Sequence, residues 1–248
     1  MSMFAVVDYV GPLMKLIHTM RSMKMFLSKG ANVLSLFDGK SSGRTACDLA
    51  GIGVNKYYSC EIDKYANIVS NAMYPHIIRL GDILNWREWD IDWTSIDLIL
   101  AGSPCQGFSF AGKQLAFDDP RSALFFVFVD ILNHIKSFNP DVEFMLENVK
   151  MKTEYVNIIS DKVEAETIII NSNLVSAQNR QRNYWCNWDV PQPDDRDIYW
   201  PDIMLNNATD CMYYSLGAFN WLFKDDKRAA KYFQYSINTK VKMQMIEA

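Results

Sequence analysis

Residues 33–43 have the sequence Val-Leu-Ser-Leu-Phe-Asp-Gly-Lys-Ser-Ser-Gly, and this stretch decides the fold. It begins with a short apolar run, which is typical of a strand that is buried on both faces of a parallel sheet. Two glycines follow, and a residue without a side chain lets the main chain turn sharply and approach a ligand closely. We therefore predict a strand with a ligand-binding turn at its carboxyl end.

Apolar runs and helical stretches alternate along most of the remaining chain. Further strands are predicted at residues 57–62, 97–101, 142–146, 166–171 and 183–188, and helices at residues 43–50, 64–73 and 121–135. Strands that alternate with helices are typical of an α/β domain. The predicted fold class is therefore α/β, with an open, mostly parallel sheet and helices on both faces.

The alternation stops near Pro191, where a turn-rich segment begins. We therefore divide the chain into an N-terminal helical extension (1–30), a main domain (31–190) and a short C-terminal tail (191–248). A helix is predicted near residues 11–28, because Leu13, Leu16, Ile17 and Met20 form one apolar stripe at helical spacing. A second helix is predicted near residues 215–233.

The composition is that of an ordinary globular protein. The chain has 248 residues, a formal net charge of −4 and five cysteines. The absence of a CxxC pair disfavours a disulfide framework and a zinc site, so no metal is expected. No signal-peptide pattern and no run of membrane-spanning length is found, so we predict a cytoplasmic location and no membrane partner. The negative charge disfavours a polyanionic partner, although a local basic rim is compatible with one.

Polar residues after the predicted strands indicate a nucleoside pocket, because ligands of open α/β sheets lie beyond the carboxyl ends of the strands. Glu61 follows the second strand, about 20 residues past the glycine turn, which suits a ribose diol. Asp82 is predicted to accept a hydrogen bond from an adenine amino group. The turn lacks the GxGxxG pattern, which disfavours nicotinamide chemistry. The predicted contacts from the turn are Phe37, Asp38, Gly39 and Gly43.

Cys105 is the most informative single residue, because it follows Pro104 at the end of a predicted strand. A thiolate that faces the ligand cleft acts as a nucleophile when nearby groups lower its pKa. The alternative is a buried small hydrophobe, which is the usual environment of a free cysteine. The Pro-Cys-Gln context between a strand and Gly107 favours the nucleophile.

Charged residues at two later strand positions complete the candidate site. Glu147 is predicted to protonate or hydrogen-bond a ring nitrogen; the alternatives are a helix N-cap or a solvated acid. Arg180 and Arg182 are one residue apart, so in an extended segment they face the same way and are placed to orient a carboxylate or to contact a base or phosphate. The alternative for the two arginines is an ordinary surface pair.

In this order the motifs resemble those of the cytosine-C5 DNA methyltransferase family, its phage and bacterial members in particular. The resemblance covers residues 33–188. It implies a Rossmann-like methyltransferase fold, S-adenosylmethionine as the cofactor and cytosine-containing duplex DNA as the partner. The matching motifs are Phe-Asp-Gly-x-x-x-Gly at 37–43, Pro-Cys-Gln at 104–106, Arg-Ser-Ala-Leu-Phe-Phe at 121–126, Glu-Asn-Val at 147–149 and Gln-x-Arg-x-Arg at 178–182.

The resemblance also implies a role for each residue. Cys105 adds to C6 of a cytosine that is flipped out of the duplex, and Glu147 holds the N3 atom of that base. Arg182 supports Cys105 or the base, and Arg180 pairs with Glu147. The implied cofactor contacts extend to Ile62, Ile83, Pro104 and Leu124. The implied DNA contacts are Gln106, Ser109, Lys113 and Arg121.

The sequence departs from the family pattern after residue 188. Members normally continue with a target-recognition region and a final Gly-Asn segment, and residues 196–248 contain no such segment. Three explanations stay open: a shortened and impaired chain, a complementary subunit that supplies the missing parts, or substitution by the helix predicted at residues 11–28. The alternative functions are a non-catalytic regulatory or subunit form and an RNA cytosine-C5 methyltransferase.

Overall fold

The computed structural model describes residues 28–104 and 123–198, which form one seven-stranded sheet with the strand order β3-β2-β1-β4-β5-β7-β6. Central strands that are apolar on both faces lie in the middle of this order, as a sheet covered on both sides requires. The strands are β1 (Ala31–Leu36), β2 (Val54–Cys60), β3 (Ile78–Arg79), β4 (Leu98–Gly102), β5 (Glu143–Val149), β6 (Thr167–Asn171) and β7 (Gln181–Cys186).

The direction of the strands changes once within the sheet. Strands β1 to β5 are parallel to one another, whereas β7 is antiparallel to both β5 and β6. Because β7 is reversed, it begins at the edge of the sheet where β5 ends. The register accordingly pairs Val149, the last residue of β5, with Arg182 near the start of β7.

Four described helices connect the strands: α1 (Ser42–Ala50), α2 (Lys64–Met73), α3 (Ala123–Phe138) and α4 (Thr153–Val163). Helix α1 ends at Gly51, whose φ of 77° is a left-handed conformation that glycine adopts without steric cost. Helix α2 begins after Asp63, whose carboxylate caps it by accepting a hydrogen bond from the Ala66 N–H. Short 3-10 turns lie at residues 83–88, 93–95 and 172–174.

The hydrophobic core has two parts, one on each face of the sheet, because successive strand residues point to opposite sides. On β1, Val33 packs on the face covered by α1, and Leu34 packs on the face covered by α3 and α4. Neither side chain is accessible to solvent. The predicted mostly parallel α/β sheet with helices on both faces is therefore confirmed.

Some elements differ from the sequence prediction. Helix α4 was not predicted, although Val156, Ile159 and Val163 give it an apolar face that packs on the core. The strand predicted at 183–188 lies at Gln181–Cys186, and the strand predicted at 57–62 lies at Val54–Cys60. The helices predicted near 11–28 and 215–233 fall outside the described residues. No helix within residues 28–104 and 123–198 has the length and apolar character needed to cross a membrane.

Candidate active site

Four strand ends meet at one edge of the sheet. The carboxyl ends of β1, β2, β4 and β5 lie there because these strands are parallel. The amino end of β7 joins them because β7 is reversed. Apart from Leu124 in α3, the described cofactor candidates follow β1, β2 and β3 or lie directly after β4. The described reaction candidates lie near the end of β5 and at the start of β7 or directly before it. The fold therefore brings the two groups to the same edge.

The turn after β1 has an unusual main-chain conformation. Phe37, Gly39 and Ser41 have positive φ angles of 57°, 57° and 63°, and non-glycine residues rarely adopt such angles because the Cβ atom crowds the following carbonyl. Around Gly39 the space is open, since nothing lies within 4 Å of the position that a Cβ atom would take. The main chain of the turn is therefore open to a ligand at Gly39.

Asp38 lies beneath this turn and is buried. Its Oδ1 atom accepts hydrogen bonds from the hydroxyls of Ser35 (2.6 Å) and Tyr57 (2.8 Å). Its Oδ2 atom accepts from the hydroxyls of Ser41 (2.6 Å) and Ser59 (2.7 Å). The sequence assigned Asp38 to the cofactor; in the structure its carboxylate is engaged by the protein itself.

Gly43 has a packing role in the structure. It is buried at the start of α1, and a Cβ atom there would lie 2.7 Å from both the Leu100 Cδ1 atom and the Tyr57 hydroxyl oxygen. The missing side chain therefore allows α1 to approach the sheet closely. Gly43 therefore packs against the sheet, whereas Gly39 borders open space.

Glu61 joins the end of β2 to the turn after β1. Its Oε2 atom accepts a hydrogen bond from the Gly39 N–H at 2.8 Å. Its Oε1 atom accepts from the N–H groups of Ile62 (2.8 Å) and Asp63 (2.7 Å). The neighbouring Ile62 side chain is 72% exposed, so an apolar surface stands free beside this carboxylate.

Asp82, like Glu61, lies close enough to Cys60 at the end of β2 to affect its thiol. Both carboxylates help to raise the pKa of the Cys60 thiol, although burial is the main reason why that pKa rises to about 12. Asp82 Oδ1 also accepts a hydrogen bond from the Leu84 N–H at 3.0 Å. The side chain of Ile83 is buried in the core, so only its main chain is available to a ligand.

The end of β4 is fixed by a residue whose role the sequence analysis did not identify. Asn148 on β5 is buried, and its Nδ2 atom donates a hydrogen bond to the Ser103 Oγ atom at 2.9 Å. Ser103 directly precedes Pro104, the last described residue before the gap. The sequence does contain a signal for this role, because a polar side chain such as Asn148 in a buried strand needs a hydrogen-bond partner.

The remaining predicted site residues follow Pro104 in the sequence. Leu124 lies in the first turn of α3, where it packs against the core while partly exposed. The nucleophile candidate and the DNA-contact candidates lie outside the described residues; they are Cys105, Gln106, Ser109, Lys113 and Arg121.

Glu147 and Arg182 form a nearly buried ion pair. The Arg182 Nε atom lies 2.9 Å from the Glu147 Oε1 atom, and the two side chains are only 18% and 12% exposed. The N–H direction is poorly aligned with the oxygen, so the contact is mainly coulombic. Burial raises the pKa of Glu147 above its ordinary value of 4.5, and Arg182 and then Arg180 oppose that rise. The solvated-acid alternative for Glu147 is therefore wrong.

The segment before β7 positions Arg180. Asn171 Oδ1 accepts a hydrogen bond from the Arg180 N–H at 2.9 Å, and Asn171 Nδ2 donates to Asn179 Oδ1 at 2.8 Å. The Ser172 hydroxyl donates to the Gln178 carbonyl at 2.8 Å. These bonds fold the chain back so that Arg180 comes close enough to influence Glu147, whereas the direct ion pair is made by Arg182.

Comparison with known proteins identifies the family to which this chain belongs. A family model described as C-5 cytosine-specific DNA methylase matches residues 31–188. This span is more than half of the chain and includes every described element from β1 to β7. The chain belongs to the C-5 cytosine-specific DNA methylase family, and the predicted resemblance and Rossmann-like fold are confirmed.

Individual relatives agree with this assignment. Type II methyltransferase M.NgoBV of Neisseria gonorrhoeae is 32% identical over 183 residues, covering 65% of this chain and 42% of the relative. Type II methyltransferase M.HgiCI of Herpetosiphon aurantiacus is 36% identical over 175 residues, covering 65% and 40%. Type II methyltransferase M.HhaI of Haemophilus parahaemolyticus is 30% identical over 199 residues, covering 72% and 58%. The chain spans less than two thirds of the length of these curated relatives.

Proposed function

We propose that this chain transfers a methyl group from S-adenosylmethionine to C5 of a flipped-out cytosine in duplex DNA. One observation supports this most strongly: a buried carboxyl group with a raised pKa, Glu147, lies across from the strand that leads into Pro104 and Cys105. An acid and a thiol at neighbouring strand ends are what addition to a pyrimidine ring requires.

The first three strand ends fit the cofactor. A nucleoside offers hydroxyl and amino donors, and the carboxylates of Glu61 and Asp82 are acceptors, of which Glu61 is bonded to the Gly39 N–H beside open space. In our proposal Glu61 holds the ribose, Asp82 holds the adenine amino group and the exposed Ile62 packs on the adenine ring. Bound S-adenosylmethionine supplies an electrophilic methyl group. The proposed main-chain and apolar contacts are Phe37, Asp38, Gly39, Ile83, Pro104 and Leu124.

The reaction residues act on the cytosine. In our proposal the Cys105 thiolate adds to C6, which makes C5 nucleophilic, and it leaves again once C5 has been methylated and has lost its proton to a base. Glu147 shares a proton with N3 and so stabilises the charge that develops on the ring. A carboxyl group with a raised pKa is suited to this task because it holds a proton closer to neutral pH. Arg182 keeps Glu147 in position through the ion pair.

A base stacked in a duplex is out of reach of such a cleft, so the cytosine must rotate out of the helix. We assign the surrounding DNA contacts to Gln106, Ser109, Lys113 and Arg121, of which the two cations would meet phosphates. We also assign residues 31–190 to the catalytic domain, and we propose that the reaction takes place in the cytoplasm of a bacterial or phage-infected cell.

The proposal is tested by incubating the chain with methyl-labelled S-adenosylmethionine and cytosine-containing duplex DNA, with transfer RNA as a competitor. We expect label in the DNA at C5 of cytosine and little effect of the RNA. Cys105→Ala should abolish transfer, whereas the matched control Cys186→Ala, which removes a buried thiol from β7, should retain it.

Each other outcome has a distinct meaning. Cofactor binding without transfer to any DNA would contradict the proposed activity of the chain. Absence of cofactor binding would favour the non-catalytic alternative, and label in the RNA would favour an RNA methyltransferase.

A further inference from the structure

The carboxylate of Asp38 is surrounded by hydroxyl groups. Both of its oxygens accept two hydrogen bonds, and the donors are the hydroxyls of Ser35, Ser41, Tyr57 and Ser59. All four donor residues are buried, with at most 4% of their surface exposed. No ion pair to Asp38 occurs within the described ranges, so these hydroxyls replace the water that the carboxylate has lost.

The hydrogen bonds of this cluster have a defined direction. A carboxylate is an acceptor only, and each hydroxyl has a single proton, so all four hydroxyls donate to Asp38. The Ser41 oxygen is then left to accept from Ser70, its neighbour on α2. The Ser59 oxygen likewise accepts from Arg79 Nη1 at 3.3 Å. Asp38 thereby links the turn after β1 to β2 and, through these hydroxyls, to α2 and β3.

The turn needs such support. Phe37 and Ser41 adopt positive φ angles that cost free energy in residues with side chains. Within the described residues, three main-chain bonds hold the turn: from the Asp38 N–H to the Cys60 carbonyl (3.1 Å), from the Ser41 N–H to the Asp38 carbonyl (3.0 Å) and from the Thr45 N–H to the Ser41 carbonyl (3.2 Å). Side-chain bonds to a buried charge are stronger than neutral ones and can offset the unfavourable conformation.

We propose that Asp38 is a positioning residue: its carboxylate holds the turn of residues 37–41 in the conformation that presents main chain to the cofactor, and does not itself contact the cofactor. The inference rests on the proposed function, because it assigns the cofactor to this turn. Four hydrogen bonds occupy the four acceptor positions of a carboxylate. A cofactor group that bound this carboxylate would therefore have to displace a hydroxyl.

Removing the hydroxyls of Tyr57 and Ser59 distinguishes a positioning role of Asp38 from direct cofactor binding by Asp38. Both residues lie on β2 and are almost fully buried, and within the described ranges their hydroxyls bond to the turn of residues 37–41 at Asp38 alone. If Asp38 bound the cofactor directly, removal of these two hydroxyls would leave cofactor affinity almost unchanged. If Asp38 positions the turn, each removal weakens cofactor binding in the same direction as Asp38→Asn.

The experiment measures cofactor affinity by calorimetry and main-chain amide exchange, for the full chain and five variants. Asp38→Asn is expected to weaken S-adenosylmethionine binding by at least roughly tenfold, and Tyr57→Phe and Ser59→Ala by roughly two- to tenfold each. Adding Tyr57→Phe to Asp38→Asn should cause little further loss, because the two act through one cluster. Asp92→Asn, the same change at an exposed turn, should bind like the wild type.

Amide exchange supplies a readout that does not depend on the cofactor. The N–H groups of Asp38 and Ser41 should exchange at least roughly tenfold faster in Asp38→Asn, while those of Leu34 and Leu36 in β1 stay as protected as in the wild type. A role in general stability would speed exchange in β1 as well, and would leave the affinity of the folded molecules unchanged.

The results distinguish an error in the positioning role of Asp38 from an error in the proposed function. If the wild type binds the cofactor and Tyr57→Phe and Ser59→Ala bind it equally well, the positioning role is wrong. Unchanged exchange at Asp38 and Ser41 overturns it too, whether or not the cofactor binds. If the wild type itself does not bind S-adenosylmethionine, the proposed function fails, and the claim that this turn serves the cofactor fails with it.

Discussion

The carboxylates of Asp38 and Glu147 lie at the ends of two strands of the same sheet and are almost equally buried, with 8% and 9% of the residue exposed. Asp38 receives four hydrogen bonds from neutral hydroxyls. Glu147 forms an ion pair with Arg182 in a poorly aligned contact, and its pKa is raised because burial outweighs the effects of Arg182 and Arg180.

The difference supports the two roles that we propose, structural support for Asp38 and proton exchange for Glu147. Hydroxyl donors that replace the lost water make a buried carboxylate an internal anchor. A buried carboxyl group with incomplete hydrogen bonding keeps a raised pKa and remains able to exchange a proton with a ligand. Burial alone therefore does not identify a reactive acid, and the hydrogen-bond partners decide its role.

The largest expected effect is on methyl transfer in Glu147→Gln. The amide keeps the size of the side chain but cannot share a proton, so the rate at saturating cofactor should fall by about 10²–10⁴. Cofactor affinity should stay within about twofold, because in our proposal Glu147 contacts the cytosine and not the cofactor. Single-turnover assays beside calorimetry separate the two quantities. Asp38→Asn should show the opposite pattern, a higher KM for the cofactor with a nearly unchanged kcat.

A smaller effect is expected on stability in Arg182→Gln. Removing the cation leaves Glu147 buried without its nearest partner, which should lower the free energy of unfolding by about 3 kcal/mol at pH 8. The loss should shrink at acidic pH, where Glu147 is protonated and needs no cation. Urea unfolding at both pH values measures this, with Arg182→Lys as the control that retains charge. Equal losses at the two pH values would show that Glu147 does not depend on Arg182.

Gly43→Ala tests the packing that supports the hydrogen bonds of Asp38. The new Cβ atom would press on Leu100 and on the Tyr57 hydroxyl, both of which are held in a packed core. We expect a loss of about 1–2 kcal/mol in the free energy of unfolding. Cofactor binding should weaken as well, because Tyr57 is displaced from Asp38. A variant as stable as the wild type would show that α1 can move away from the sheet at little cost.

The smallest expected effect is the pH dependence of stability that Glu147 contributes. Its folded-state pKa is raised, so its favourable contribution is complete below the unfolded-state value of about 4.5 and is lost as the pH rises through the folded-state pKa. The difference in the free energy of unfolding between wild type and Glu147→Gln should therefore decline as the pH rises from about 4.5. A difference that grows with pH would show that the pKa is lowered instead.

The sequence predicts the framework of the fold better than it predicts the state of each site residue. The buried run before Phe37 and the bounds of α2 at Lys64–Met73 are local patterns, and both appear in the structure as predicted. The reversal of β7 is not a local pattern, because it depends on pairing with β5 and β6. The resemblance pairs Glu147 with Arg180, whereas the reversed strand brings Arg182 into direct contact with Glu147.

The internal role of Asp38 could not be predicted for the same reason. Its four hydroxyl partners come from β1, from the turn and from β2, and a chain pattern does not show that Tyr57 and Ser59 point to the same place. The Asn148–Ser103 contact joins residues that are 45 positions apart. Composition identifies such polar residues, but only the packed sheet shows which of them bind one another.

Covalent trapping shows directly whether Cys105 adds to C6 of cytosine. Duplex DNA that contains 5-fluorocytosine blocks the final loss of the C5 substituent, so a nucleophile that has added to C6 stays attached. With S-adenosylmethionine present, the account predicts a complex that survives denaturation and, after proteolysis, a DNA adduct on the peptide that contains Cys105. A chain that binds the cofactor but forms no such complex, or an adduct on any other residue, would contradict it.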